Sequence, residues 1–484
     1  MPEPTGQTQE LRKAFTLRSA ASLAFVFVSP IVGLYGVFAL AIGAAGPAAF
    51  WAFVVVLVGQ LFVAGVFGEM ASRWPFEGSV YQWARRLGGE SYGWFTGWTY
   101  MWSLIIAVAG GSYAVASFLP IVLGIDDYSK TTRLAVAMGF MCLTTLINIG
   151  GPKVVKILVG LSLIAEVVGS IGLGASLLLF HREQSLSVLF ETFGAGQGPG
   201  GYLWAGFFAA AAFVGWGFVG FESAAAISEE VEDPRRNVPK AILIALVGVG
   251  AVVLFSALAL ILATPDMGAV VSGVLLDPTA STISAAYGDG ITRPLFVLII
   301  IGFIASGVAA QTSASRLIWS FARDEVLPGS TALRTLSGND RVPRIAIAVS
   351  GAIGVVALLL ASSDRIFETL VSFSTAGFFV AFALPVVAFV WMRTRTTYTP
   401  GPFSLGRFSW PVTTVAVVWL VFEVVNIAWP RHTGLPWYET YAVLVGGALI
   451  GVLGIVIWFS KRDRIRAAGE DLDTHAEPRE PITR

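Results

Sequence analysis

The stretch Ser29-Pro30-Ile31-Val32-Gly33-Leu34-Tyr35-Gly36 lies in the middle of an apolar run that starts near residue 20. It does not suit an unbroken helix: Pro30 removes an amide donor and clashes with the preceding turn, while Gly33 and Gly36 admit close approach and unusual dihedrals. A second stretch, Gly215-Trp216-Gly217-Phe218-Val219-Gly220-Phe221-Glu222, places three glycines within six residues of a run that starts near residue 202. The runs themselves identify the surrounding medium. The chain has 484 residues, 55% of them hydrophobic and 13% charged, whereas a soluble chain carries about 25% charge.

Working outward, apolar runs bounded by charge or Gly/Pro punctuation fall at 20–43, 48–70, 93–119, 132–149, 154–180, 202–226, 239–263, 293–320, 345–361, 367–391, 412–429 and 438–460. Each is close to the roughly 20 apolar residues that span a bilayer as a helix. The expected fold is therefore an all-α membrane protein with twelve transmembrane helices, since a barrel's strands would alternate with polar positions. The first run outlasts the h-region of a cleavable signal peptide and is expected to be retained. Polar tails at 1–19 and 461–484 flank the spans, and the second is expected to be disordered.

Lys and Arg resist translocation, so their distribution orients the helices. With the N-terminus inside, 25 of the 31 basic residues fall in cytoplasmic loops and tails, and only Lys130, Arg133, Arg182, Arg293, Arg365 and Arg431 fall outside. Both termini are expected to be cytoplasmic. The 31 acidic residues cancel the basic ones, so no nucleic-acid partner is indicated. Cys142 is the single cysteine, which excludes an intrachain disulfide framework. His181, His432 and His475 belong to expected outer loops or the tail, so neither a metal site nor a cofactor is expected. The spans leave little room for a soluble catalytic domain, and the chain is not expected to be an enzyme.

The two interruptions sit five helices apart. Because five is odd, a unit of helices 1–5 (20–180) and a unit of helices 6–10 (202–391) enter the membrane from opposite sides, with helices 11 and 12 (412–460) outside the repeat. Broken helices in corresponding places of two inverted halves point to a midplane substrate site. Backbone groups released at that depth are tolerated only where a ligand, ion, water or protein group satisfies them. Half-helix N-termini favour a carboxylate and half-helix C-termini a cation, so a zwitterion meets both. Gly and Pro are also common packing residues in membrane helices, and it is the matched pair that favours a site.

Several segments now resemble the amino acid–polyamine–organocation superfamily of permeases. They are Gly68-Glu69-Met70 through Pro75, Glu77, Gly78 and Tyr81-Gln82-Trp83-Ala84, then Gly220-Phe221-Glu222-Ser223 with Glu229-Glu230-Val231-Glu232-Asp233-Pro234-Arg235-Arg236, and Arg316 with Ala322-Arg323-Asp324-Glu325-Val326-Leu327-Pro328. Ser29-Pro30 with Gly33, and Glu166 in helix 5, look most like the amino acid/choline transporter branch. Helix 1 departs from the family in reading Gly33-Leu34-Tyr35-Gly36-Val37-Phe38 where many members have G-S-G-I-F. The resemblance implies a leucine-transporter-like 5+5 inverted repeat plus two peripheral helices. It implies secondary active uptake or exchange of amino acids or related amines at the plasma membrane. It also implies an aromatic lid at Trp216, and substrate contacts at Ser29, Pro30, Gly33, Gly36, Gly217 and Val219.

Gln311, Ser306 and Ser313 in helix 8 are candidate lining positions. Away from the span ends, three carboxylates lie within the spans, Glu166, Glu222 and Glu423, and such residues usually face a cavity or a partner. Glu166 and Glu222 are the candidates for coupling or gating, with buried hydrogen-bond anchoring as the competing reading, and Glu423 is assigned to packing or an oligomer contact. Coupling to a proton, or exchange, is expected over sodium, for which Thr312 and Ser313 offer a hydroxyl pair. The expected substrate is a small amino acid or a γ-aminobutyrate-like zwitterion. The alternative is a cationic amine such as choline, ethanolamine or a polyamine, with Glu166 or Glu222 as countercharge. A non-transporting sensor or a channel completes the alternatives, although no charged pore ring is evident. Trp94, Trp98, Trp437 and Trp458 are expected in the interfacial belt.

Overall fold

The computed structural model describes residues 15–76, 78–125, 128–275, 277–338, 341–360, 365–431 and 434–473, with side chains as far as 466. The tail before Phe15, Glu77 of the second-helix motif, His432, His475 and the end of the C-terminal tail lie outside the described residues. Among the described residues the structure is helical, with two isolated bridges and no strand. Eleven helical stretches are long and apolar enough to cross a membrane, and the expected ninth span, Arg344–Leu360, adds a 17-residue apolar helix. At 1.5 Å per residue that helix measures about 25 Å, near the lower limit for spanning.

The hydrogen bonds between connectors follow the expected alternation. At one end, the Ala48 amide donates to the Glu191 carbonyl (3.2 Å) and the Glu183 amide to the Leu262 carbonyl (2.9 Å). At the other, Phe15 and Val231 form a parallel bridge that ties the start of helix 1 to the connection after helix 6. The same end carries Glu325, which pairs with Arg334 at 3.0 Å and Arg464 at 3.2 Å.

Two expectations are corrected. Trp94 and Trp98 are 2% and 4% exposed, so they are core residues and not members of an interfacial belt. They stack on each other on one side of helix 3 (Glu90–Leu123), and the Trp98 indole N–H donates to the Ile450 carbonyl of helix 12 (Ala442–Asp473) at 3.0 Å. Their nearness to the span end misled because this part of the 34-residue helix 3 is covered by protein, Trp94 by Phe321 and Trp98 by helix 12. The polar tail after Trp458 is also not disordered throughout: helix 12 continues to Asp473, Ile465 is buried, and Arg464 reaches Glu325.

The family-like motifs at the same end serve one another. Glu69, at the last turns of helix 2 (Phe50–Arg73), accepts from the Leu405 amide (2.9 Å) and the hydroxyls of Ser404 (3.2 Å) and Ser409 (2.5 Å). This clasps the connection between helices 10 (Ile366–Arg393) and 11 (Ser409–Ala428) onto helix 2. The short helix Ser79–Gly88 follows helix 2 and inserts Arg85, which is ion-paired with Glu90. Tyr81 on the same helix is buried, and that burial lifts its hydroxyl pKa to about 12.

Candidate functional site

Helix 1 is built in three pieces, Leu17–Val28, Pro30–Tyr35 and Phe38–Ala45. Ser29 turns the chain between the first two with φ 54° and ψ 110°, a strained conformation for a residue with a side chain. Its hydroxyl donates to Glu166 and accepts from the Val32 amide at 3.2 Å. The Ile31 amide donates to the other Glu166 oxygen at 3.0 Å. Glu166, 2% exposed, ends the regular part of helix 5 (Pro152–Glu166). It is followed by a π turn, Val167–Gly172, before the helix resumes at Leu173–Phe180. The wider turn frees carbonyls, and neighbours take them: Tyr35 donates to Gly169 (2.5 Å) and Ser256 of helix 7 (Pro234–Ala263) to Ser170 (3.1 Å). Such π turns are frequent at functional sites in helices.

Helix 6 runs from Tyr202 to Val214, tightens into a 3₁₀ turn at Gly215–Phe218, extends at Val219, reverses at Gly220 (φ 103°) and resumes as Phe221–Glu230. Glu222 is fully buried. One of its oxygens accepts from the Gly220 amide at 3.0 Å, and the other accepts from the Tyr100 hydroxyl of helix 3 at 2.8 Å. The freed Phe218 carbonyl is met by Gln60 of helix 2 at 3.2 Å.

The interruptions touch. A Cβ on Gly33 would lie 2.8 Å from the Gly217 carbonyl oxygen, and one on Gly36 would lie 2.6 Å from the Trp216 ring. Beside this contact is a cavity of about 50 Å³ lined by Phe27, Val32, Trp216, Val219, Phe303 and Ser306 among others. Phe303 and Ser306 come from helix 8 (Asp289–Arg323), and the Ser306 hydroxyl donates to the Phe27 carbonyl at 2.8 Å. A larger recess of about 290 Å³ opens between the ends of helices 3 and 8 at Gly124 and Arg293, and neither interruption lines it.

The structure thus brings together Ser29, Gly33, Gly36, Trp216, Gly217, Val219 and Glu166, with Pro30 buried at the first turn after the break. Glu222 anchors the second interruption. Gln311 turns away from the cavity to helix 4 (Lys130–Ile149), where its amide donates to Thr145 at 2.8 Å and its carbonyl accepts from Asn148 at 3.3 Å. Thr312 joins the same network through Asn148 at 2.7 Å, and Ser313 bonds back to the Ala309 carbonyl at 3.3 Å. The helix 8 hydroxyl that meets helix 1 is that of Ser306. Glu423 is buried beside Asn426, whose amide donates to it at 3.2 Å and also reaches the Phe208 carbonyl of helix 6 at 2.9 Å. Tyr100, Gln60 and Tyr35 were not singled out from the sequence. Gln60 carried a signal, an amide isolated within an apolar run, whereas Phe303 carried none.

A model of the amino acid permease family matches residues 19–455. The chain is similar to the amino-acid permease BAT1 of Arabidopsis thaliana, at 24% identity covering 86% of this chain and 85% of that one. It is 27% identical to a choline transporter of Saccharomyces cerevisiae, covering 87% and 76% of the two chains. It is 26% identical to the low-affinity putrescine importer PlaP of Escherichia coli, covering 82% and 85%. With a match over nearly all its spans, two interrupted helices in contact and a cavity beside them, the chain belongs to the amino acid permease family.

Proposed function

We propose that the protein is a secondary active permease of the plasma membrane, with both termini cytoplasmic, that moves a small ammonium-bearing solute by alternating access. The solute is an amino acid or γ-aminobutyrate-like zwitterion, or a cationic amine of the kind that the names of the choline and putrescine relatives indicate. Helices 1 and 6 rock against the remainder of a repeat made of 20–180 and 202–391, with helices 11 and 12 peripheral. The observation that carries the reading is the contact of Gly33 with Gly217 beside a cavity at two helix breaks. In this reading Trp216 covers the substrate, and Glu166 reports its protonation to helix 1 through Ser29 and Ile31.

Proton coupling, or exchange, is favoured over sodium because a buried carboxylate holds the broken segment directly, while Thr312 is engaged with helix 4. Uptake into proteoliposomes is the test. Saturable accumulation that follows an imposed pH gradient and ignores a sodium gradient is expected. The reverse dependence overturns the coupling, and equilibration without saturation overturns the permease in favour of a pore.

A further inference from the structure

We infer that the connection between helices 10 and 11 carries a binding site for a diacyl phospholipid with a net negative headgroup, of the phosphatidylglycerol type. The site is separate from the cavity at the interruptions, none of whose lining residues belongs to it.

The distribution of charge singles this connection out. No Asp or Glu occurs between Glu368 and Glu423, whereas Arg393, Arg395 and Arg407 lie in that interval. Glu69, which reaches the connection from helix 2, is fully buried and already accepts from the Leu405 amide and the Ser404 and Ser409 hydroxyls. Elsewhere at this end arginines are matched by acids: Arg236 by Asp233, Arg323 by Asp324, and Arg334 and Arg464 by Glu325. Arg395 and Arg407 are exposed, each rests against an aromatic ring, and among the described residues neither has an ion pair.

Packing then fixes where the two charges stand. Arg393, at the end of helix 10, donates to the Ser409 hydroxyl at 2.8 Å, and its guanidinium lies 4.4 Å from the centre of the Trp410 ring. This pins the end of helix 10 to the start of helix 11. Arg395 follows Arg393 by two residues and Arg407 precedes Ser409 by two, so both flank one junction. The Arg395 guanidinium stacks on Trp391 at 4.7 Å and that of Arg407 on Phe408 at 4.8 Å. A stacked guanidinium keeps its N–H edge for the oxygens of a phosphate. Trp391 and Trp410 are 51% and 45% exposed, and exposed tryptophans at span ends settle at headgroup level. Further along helix 11, Val418, Val421 and Val425 are exposed at the spacing of one helical face, and helix 10 exposes Val387. These are surfaces for acyl chains. Unneutralised arginines at headgroup depth above an apolar face favour a lipid that brings a net negative charge. Phosphatidylcholine carries its own cation and gains less.

The test is native mass spectrometry of the full-length detergent-purified protein with phosphatidylglycerol and phosphatidylcholine of identical acyl chains. Phosphatidylglycerol is expected to bind at least about tenfold more tightly as the first retained lipid. Arg395→Gln/Arg407→Gln removes both charges while leaving Arg393 and Glu69 in place, and is expected to cut the preference to within about threefold. Lys461→Gln/Arg466→Gln removes two charges from helix 12 at the same end and is expected to keep it. Equal binding of the two lipids by the unsubstituted protein overturns the inference, as does a preference that survives in the first variant. An equal loss in both variants replaces the site with diffuse surface charge. Glycerophosphoglycerol, the headgroup without chains, is expected to compete at least about a hundredfold more weakly than the lipid. Competition at equal concentration overturns the lipid in favour of a soluble anion. Should the double variant fail to fold, Arg395→Gln and Arg407→Gln singly are each expected to lower the preference about threefold, and an unchanged preference in both overturns the assignment.

Discussion

Gly33→Ala tests the contact between the two interruptions. The added Cβ would lie 2.8 Å from the Gly217 oxygen and 3.3 Å from its Cα, so the backbones must part by about 0.6 Å to reach ordinary contact at 3.4 Å. Neither atom belongs to a side chain that can swing aside. Overpacking of this kind costs about 1–3 kcal/mol, and a displacement of this order at a substrate site lowers rates by about tenfold to a hundredfold. Initial uptake rates in proteoliposomes, normalised to reconstituted protein, are expected to fall by at least about tenfold. Gly43→Ala, in the third piece of the same helix, meets nothing within 4 Å and is the control. It is expected to transport as the unsubstituted protein does. A Gly33→Ala protein with unchanged rates refutes the claim that this contact sets the geometry of the site.

Three further outcomes are expected. Trp216→Ala should reach the membrane and lose transport, and full activity would remove the ring from its place over the substrate. Glu69→Ala deprives Leu405, Ser404 and Ser409 of their acceptor. It should cost about 2–3 kcal/mol and accelerate hydrogen exchange at the Leu405 amide, and unchanged exchange would show that Glu69 is not what holds this connection. Thr312→Val removes a 2.7 Å bond to Asn148. It should lower stability by about 1 kcal/mol without altering the response to sodium; loss of a sodium dependence would return Thr312 to an ion site.

The residues that matter most were legible unevenly. Helix breaks are written in local chemistry, so Pro30, Gly33, Gly217 and Gly220 announced themselves. Even so, Pro30–Tyr35 is helical and the sharp turn is confined to Ser29. Glu166 and Glu222 stood out because charge is scarce in the spans. The donors that meet them, Tyr100 and the Ile31 amide, did not, since neither a tyrosine nor a backbone N–H is unusual in a membrane helix.

By itself the sequence determined the medium, the helical class, the spans, the positions of the interruptions and the family resemblance. These follow from composition, run length and the dihedral limits of Pro and Gly, all of which act locally. Only the tertiary structure decided which way each helix faces. A membrane helix that is apolar all round leaves its rotation about its own axis unspecified, because lipid and protein neighbours are nearly equivalent to Leu, Val and Phe. That freedom is why Gln311 and Thr312 turned out to face helix 4, and why Trp94 and Trp98 lie inside the bundle. It is also why the engagement of the helix 1 break by Glu166 is visible only once helices 1 and 5 are packed together.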